Sequence, residues 1–226
     1  MYYAIIGDII GSKALENRSE VQEKLNAILR TINTEYEKNI AANFVITLGD
    51  EFQGLLINPV SLLEIIQKIK LYMYPVKIRF GIGIGDIYTE INREMAIGAD
   101  GPAYHNARAM VEKLKSISKS NSKSMYNSDV MLMDSGVEGK DDIIQLINDN
   151  FCLCYFIESK WTEKQIEIIK KTNLGSRGQR ELAKELNLAQ STIHRRLKAS
   201  GYYNCVHVYK NITRIMVEVW GGSNEH

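Results

Sequence analysis

The chain has little with which to cross-link itself, span a membrane or attract nucleic acid as a whole. Its three cysteines, Cys152, Cys154 and Cys205, are an odd number without zinc-ligand spacing. They read as buried thiols in a reducing compartment, not as a disulfide framework or a zinc site. No apolar run is long enough to cross a bilayer, and the first residues read at once as a strand, without a basic stretch and apolar core before it. The expectation is a cytoplasmic protein with no membrane partner. A formal charge of +1 gives no overall field for nucleic acid, so any such contact must be local. The apolar share of 45% and charged share of 24% are ordinary for a globular protein. With 226 residues the chain can bury a proper core, in one large domain or two small ones.

What is present first is a pair of carboxylate signals. Leu48-Gly49-Asp50-Glu51-Phe52 stands between two short apolar runs, Phe44 to Thr47 and Phe52 to Ile57, that read as strands. Gly49 and Asp50 tolerate the positive φ of a tight hairpin, so Asp50 and Glu51 fall at a turn. Near the start, Tyr2 to Ile6 reads as a buried strand ending in Gly7-Asp8-Ile9-Ile10-Gly11-Ser12-Lys13. If the second hairpin strand runs antiparallel beside it, Asp8 and Asp50 meet. Two such carboxylates repel unless a cation lies between them. Hard oxygen ligands suit Mg2+, with nucleotide phosphates completing the shell. The amides of Ile10, Gly11 and Ser12, at a helix start with Lys13 nearby, are placed to hold those phosphates. The plainer alternative makes Asp8 and Asp50 turn residues and Glu51 a solvated edge charge.

The rest of the first part alternates strands and helices. Asn17 and Ser19 are candidate caps for a helix carrying Val21, Leu25, Ile28, Ile32 and Tyr36. Asn58-Pro59 is expected to open a second helix with Leu62, Leu63, Ile66, Ile69 and Met73, ended by Pro75. Val76 to Gly85 alternates with period two, with glycine at the later positions of one face. That pattern fits either the approach of a ligand or close packing of a helix. A helix from Pro102 carries Ala103, Ala107, Met110, Val111 and Leu114, the Ser/Lys-rich piece Ser116 to Ser124 reads as a loop, and a strand is expected near Met125 to Met133. This is the order of a ferredoxin-like α/β core with an extension.

Composition then shifts. Gly136 to Asp142 reads as a linker, and Ile143, Ile144, Leu146, Ile147, Phe151 and Phe156 as a connecting helix. The domains expected are thus 1–135, a linker and connecting helix over 136–157, and an all-helical domain over 158–226. Thr162 and Gln165 form a capping box. Ser176 to Leu197 has the helix-turn-helix pattern: Ala183 where helices cross, Asn187 at the turn, and Leu182, Leu186, Ile193 and Leu197 as shared core. Gln190, Ser191, Thr192, Arg195 and Arg196 would stay outside that core and reach DNA. From Gln190 to Ser200 the chain has His194, Arg195, Arg196 and Lys198 and no acid. The alternative is a solvated helix in a protein-binding bundle, and Ala189 departs from the usual Ser/Thr cap. Val206, Tyr209, Ile212, Met216 and Val219 mark a last amphipathic helix, suited to core packing or to a partner subunit.

Gly-Asp-Ile-Ile-Gly-Ser, Leu-Gly-Asp-Glu-Phe, Ile-Arg-Phe-Gly-Ile-Gly-Ile-Gly and the late Ala107-Arg108 together resemble the class III nucleotide cyclases and the related GGDEF-type diguanylate cyclases. With the helix-turn-helix pattern, itself similar to that of many bacterial regulators, the whole chain resembles the SatD family. The resemblance implies a nucleotide-cyclase-type α+β sheet followed by the helical domain. It matches Asp8 and Asp50 to the metal carboxylates, the carbonyl of Ile9 to a backbone metal ligand, and Glu51 to the glutamate of GGDEF. Arg108 falls where cyclases stabilise charge on the transferring phosphate. The implied cofactor is Mg2+ or Mn2+ with a nucleoside triphosphate. Tyr104 stands where cyclases carry an asparagine for the ribose, with His105 and Asn106 as neighbouring substitutes. The expectation is a regulator that senses nucleotide and binds DNA as a homodimer, or alternatively an active nucleotidyl cyclase whose C-terminal part dimerises or positions it.

Overall fold

The computed structural model of the protein describes residues 1–94, 96, 98–119, 127–136, 139–174 and 178–221, apart from the side chains of Leu48 and Leu174. Its centre is β1 (Tyr2–Ile9), whose alternate residues serve two different faces. After α1 (Arg18–Glu35) come β2 (Ile40–Leu48) and β3 (Glu51–Leu56), then α2 (Leu62–Met73) and β4 (Ile78–Gly85). The long α3 (Pro102–Lys119) and β5 (Val130–Asp134) follow. The five strands lie in the order β2-β3-β1-β4-β5. β1 is antiparallel to both neighbours, and β5 joins β4 in parallel. The first four strands thus keep the expected ferredoxin-like order, and β5 is the extension.

On one face Tyr3, Ile5 and Ile9 meet Leu25, Ile28, Leu29 and Ile32 of α1 and Ile66 and Ile69 of α2. On the other, Ala4 and Ile6 meet Ala103, Ala107 and Val111 of α3. The glycine face of β4 belongs to this second contact: a Cβ on Gly81 or Gly83 would overlap the carbonyl oxygen of Ala107 or Ala103. Close packing of a helix, not a ligand, accounts for those glycines. Ile87, Ile91, Ala96 and Ala99 pack against the same face, with Gln53 Nε2 donating to Ala96 O at 2.6 Å and Asn43 N to Arg93 O at 2.9 Å beside the edge strand β2.

Several boundaries differ from the pattern. Asn17 takes the cap position of α1 without a side-chain bond. α2 begins at Leu62 because Asn58 Oδ1 accepts from Val60 N at 3.1 Å, closing a turn in place of a helical start. Ser116 to Lys119 continue α3, where the Ser116 and Ser118 hydroxyls bond back to the carbonyls of Lys113 and Lys115. Residues 120–126, with the rest of the expected loop and the expected start of the last strand, lie outside the described residues.

The C-terminal helices are α4 (Asp141–Glu158), α5 (Glu163–Leu174), α6 (Gln179–Glu185), α7 (Gln190–Ala199) and α8 (Tyr202–Trp220). The capping box is present, with Gln165 Oε1 accepting from Thr162 N at 2.9 Å. α6 and α7 are joined by residues 186–189, with Asn187 at φ 51°. Leu182, Ala183, Ile193 and Leu197 pack with Ile168 and Ile169 of α5, and also with Leu71 of α2. Ser176 and Arg177, at the start of the helix-turn-helix pattern, lie outside the described residues. α4 and α8 return to the sheet: Ile147, Phe151, Ile212, Met216 and Trp220 share the core of α1 and α2. Trp220 Nε1 donates to Asp134 Oδ2 at 2.6 Å, which ties the end of α8 to β5. Among the described residues no helix is long and apolar enough to cross a membrane.

Candidate functional site

The register of the sheet brings charges together at the end of β1. Asp8 is the direct partner of Glu51 on β3 and of Arg79 on β4, so the three side chains share one face. It is the face under α3, from which Arg108 and Lys115, two turns apart, reach down. Arg108 Nη1 donates to Glu51 Oε2 in a short hydrogen bond. Lys115 Nζ lies 3.2 Å from Asp8 Oδ1, and Arg79 Nε 3.4 Å from Asp8 Oδ2. Asp8, Glu51 and Arg79 are buried.

The β2–β3 hairpin turns where expected, with Gly49 at φ 61°. It lies beside the end of β1, where Ile9 N donates to the Asp50 carbonyl at 3.0 Å. The Ser12 hydroxyl donates a short hydrogen bond to Asp50 Oδ2, and Gln22 Nε2 holds the Gly49 carbonyl at 2.6 Å. Burial pushes the Asp8 carboxyl above its ordinary value, and the charge of Asp50 pushes in the same direction, against the pull of Lys115 and Arg79. The hydrogen bond to Glu51 raises Arg108. Burial works against the Lys115 ammonium, but Glu112 and Asp8 carry its pKa upward.

Several expected residues gather here and others do not. Asp8, Asp50, Glu51, Arg108 and Ser12 converge. The amide of Ile10 is engaged by the Lys77 carbonyl at 2.9 Å, so it cannot cradle a phosphate. Gly11 is in the left-handed region and Lys13 is exposed. His105 faces Asp100 at 2.7 Å, and Asn106 donates to the Ile84 carbonyl at 2.9 Å, so neither replaces the asparagine whose place Tyr104 takes. The Tyr104 hydroxyl is buried without a partner among the described residues. On α7, Gln190, Ser191 and Arg195 are exposed as expected, whereas Thr192 and Arg196 are half-buried. Arg79 and Lys115 are the residues the pattern did not single out. The signals for them were a lone cation in an otherwise apolar strand and a lysine two turns beyond Arg108.

Among the described residues no group of three or more His, Cys, Asp or Glu is arranged to hold a metal ion. Mg2+ needs fewer, because it is commonly held by one or two carboxylates with phosphate oxygens and water. Asp8, Asp50 and the Ile9 carbonyl fit that demand in kind. Lys115 Nζ, at 3.2 Å, already pairs with Asp8 Oδ1 there.

Sheet order and charged sheet end define an α+β protein with a ferredoxin-like core and a buried acid–base cluster under its third helix. The model of the SatD family matches residues 2–215, and the chain belongs to the SatD family. No protein of curated function matches it in sequence. Among solved structures it is similar to the catalytic core of a rhodopsin-guanylyl cyclase with converted specificity in complex with ATPalphaS, at 15% identity over 48% of this chain and 70% of that one, TM-score 0.33. The guanylyl cyclase Cya2 gives 13%, 49%, 69% and 0.34. The guanylate cyclase domain of RhGC from Catenaria anguillulae in complex with GTP gives 13%, 49%, 71% and 0.33.

Proposed function

We propose that the end of β1 binds a nucleoside triphosphate together with Mg2+ or Mn2+. Asp8, Asp50 and the Ile9 carbonyl would face the metal, and Arg108, Lys115 and Lys13 the phosphates. The observation that carries this reading is the acid–base cluster itself. Buried ion pairs are often no more stabilising than apolar packing. A fold that draws Asp8, Asp50, Glu51, Arg79, Arg108 and Lys115 to one sheet end, with Asp8 still short of compensation, is organised for a charged ligand. The metal would neutralise phosphate charge when bound. Arg108, released from Glu51, would meet the charge that develops when a ribose 3′-hydroxyl, losing its proton, attacks the α-phosphate and the bond to the β-phosphate breaks to release pyrophosphate. Titration of the full chain with ATP or GTP plus Mg2+ or Mn2+ is expected to raise the melting temperature, worth about 2.7 kcal/mol at a hundredfold excess over Kd. A cyclic product in the same mixtures would establish turnover. No stabilisation by any pair would remove the reading.

The C-terminal helices admit two roles. In an active cyclase, acting in the cytoplasm as a homodimer, they would position or dimerise the catalytic part. The return of α4 and α8 into the core of the sheet favours that role. In a transcriptional regulator they would bind DNA through Gln190, Ser191, Thr192, Arg195 and Arg196, and the exposed cations Arg195 and Lys198 on α7 favour that one. Anisotropy with duplex DNA at rising salt separates the two. DNA binding predicts an affinity that falls steeply with salt, with a shallower slope for Arg195→Ala, and salt-independent or absent binding leaves only positioning.

A further inference from the structure

A second place in the protein has the features of a ligand site and lies apart from the acid–base cluster. A cavity of about 320 Å³ opens between the end of α2, the turn at Tyr74-Pro75, the approach to β5, and the α4–α5 junction. Its floor is charged: Lys70 Nζ lies 2.7 Å from Asp129 Oδ2 and 2.6 Å from Glu158 Oε2. The side chains of Lys70, Asp129 and Glu158 are only 15%, 13% and 8% exposed. One ammonium therefore serves two largely covered carboxylates, and by formal count a negative charge is left over. Tyr209 OH donates to Glu158 Oε1 at 2.7 Å, which orients that carboxylate without neutralising it. Burial and the charge of Glu158 raise the Asp129 carboxyl against the pull of Lys70. Lys77 also lines the cavity, but it is exposed at the rim.

The walls are apolar and aromatic, with Tyr74, Tyr155 and Trp161 around the charged floor. On the far side of Gln67, Glu158 and Trp161 a second cavity of about 320 Å³ lies between α2 and α8. Protein interiors are close-packed with few voids larger than a water molecule. Two open clefts of that size lie along one seam, beside the packed contacts that α2 makes with α5 and α8, and leave room there for a ligand. Aromatic side chains around a surplus of negative charge are the surroundings that an organic cation prefers, and the volume falls within the range of small-ligand pockets.

We propose that this cavity binds a small primary amine with a ring-sized apolar body, its ammonium on Asp129 and Glu158 and its body among Tyr74, Tyr155 and Trp161. The ligand would touch both the sheet-bearing part and α5, and so would hold them in one arrangement.

Phenethylamine serves as the probe on the full chain, with 2-phenylethanol and phenylacetate as its neutral and acidic counterparts. The amine is expected to raise the melting temperature and to change tryptophan fluorescence saturably, since Trp161 lines the cavity. The alcohol and the acid should bind at least about tenfold more weakly, the equivalent of one charge contact. Asp129→Asn should erase the preference for amine over alcohol. Ser159→Trp, which fills the rim and leaves the charged floor intact, should abolish binding even if Asp129→Asn does not fold. An amine without a saturable effect, counterparts that bind equally well, or unchanged amine binding in Ser159→Trp would each overturn the proposal.

Discussion

Asp8→Asn is expected to abolish the nucleotide- and metal-dependent rise in melting temperature while leaving the protein no less stable than the native chain. The two halves of that expectation have one cause. Asp8 is buried on the sheet between Lys115 and Arg79, yet its carboxyl lies above its ordinary pKa, since burial and Asp50 together outweigh the two cations. The ionised form is therefore a cost to the fold, and an uncharged isostere relieves it. The sign is checked by pH. In the native chain the unfolded carboxyl ionises near pH 3.8 and the folded one only at its raised value. Between those two values the folded state holds more protons, so stability falls as pH rises through the window and levels off above it. In Asp8→Asn that fall should disappear from urea-unfolding free energies. Loss of a metal-facing carboxylate should weaken nucleotide–metal binding by about 100-fold or more, since even outer-shell partners are worth 10 to 100-fold. If the pairing of Asp8 with Lys115 and Arg79 outweighed the cost of its burial, removing the Asp8 charge would strand buried Arg79 and cost about 3–5 kcal/mol. A destabilised variant that still responds to nucleotide would refute the proposed site.

The parts of the molecule that could be read from sequence are those governed by short periods. The buried run of β1, the Gly49-Asp50 hairpin and the helical repeats of α1 and α3 follow from patterns within a few residues of one another. The meeting of Asp8 with the hairpin followed from one further assumption, antiparallel pairing of β1 with β3. What could not be read depends on register across the sheet. Nothing local says that Arg79 stands directly opposite Asp8, or that Lys115 reaches the same carboxylate from another layer. The return of α8 to the sheet was equally hidden. Its amphipathic stripe, Ile212, Met216 and Trp220, would suit any apolar surface, and only the placement of α4 and β5 makes this core the surface it covers. The glycines of β4 were visible, but their reason was not, because ligand approach and helix approach leave the same mark on a strand.

That reason leads to the other large effect. Gly83→Ala is expected to destabilise the protein by about 3 kcal/mol or more, at the upper end of what overpacking costs. The added Cβ would overlap the carbonyl oxygen of Ala103 and crowd the amide nitrogen of Ala107, both backbone atoms of α3. A side chain in that position could turn aside, but a helix backbone has no rotamer to change, so α3 must lift from β4 as a body. α3 also carries Arg108 and Lys115, so the same displacement draws both cations away from Glu51 and Asp8. Nucleotide affinity should therefore fall with stability, although Gly83 touches no charged group of the site. Gly178→Ala is the control: among the described residues a Cβ there meets nothing within 4 Å, and the loss of a cap glycine should stay below about 1 kcal/mol. Urea unfolding followed by circular dichroism compares the two. If Gly83→Ala costs no more than Gly178→Ala, α3 is not seated on the glycine face, and the convergence of Arg108 and Lys115 on the sheet end loses its structural basis.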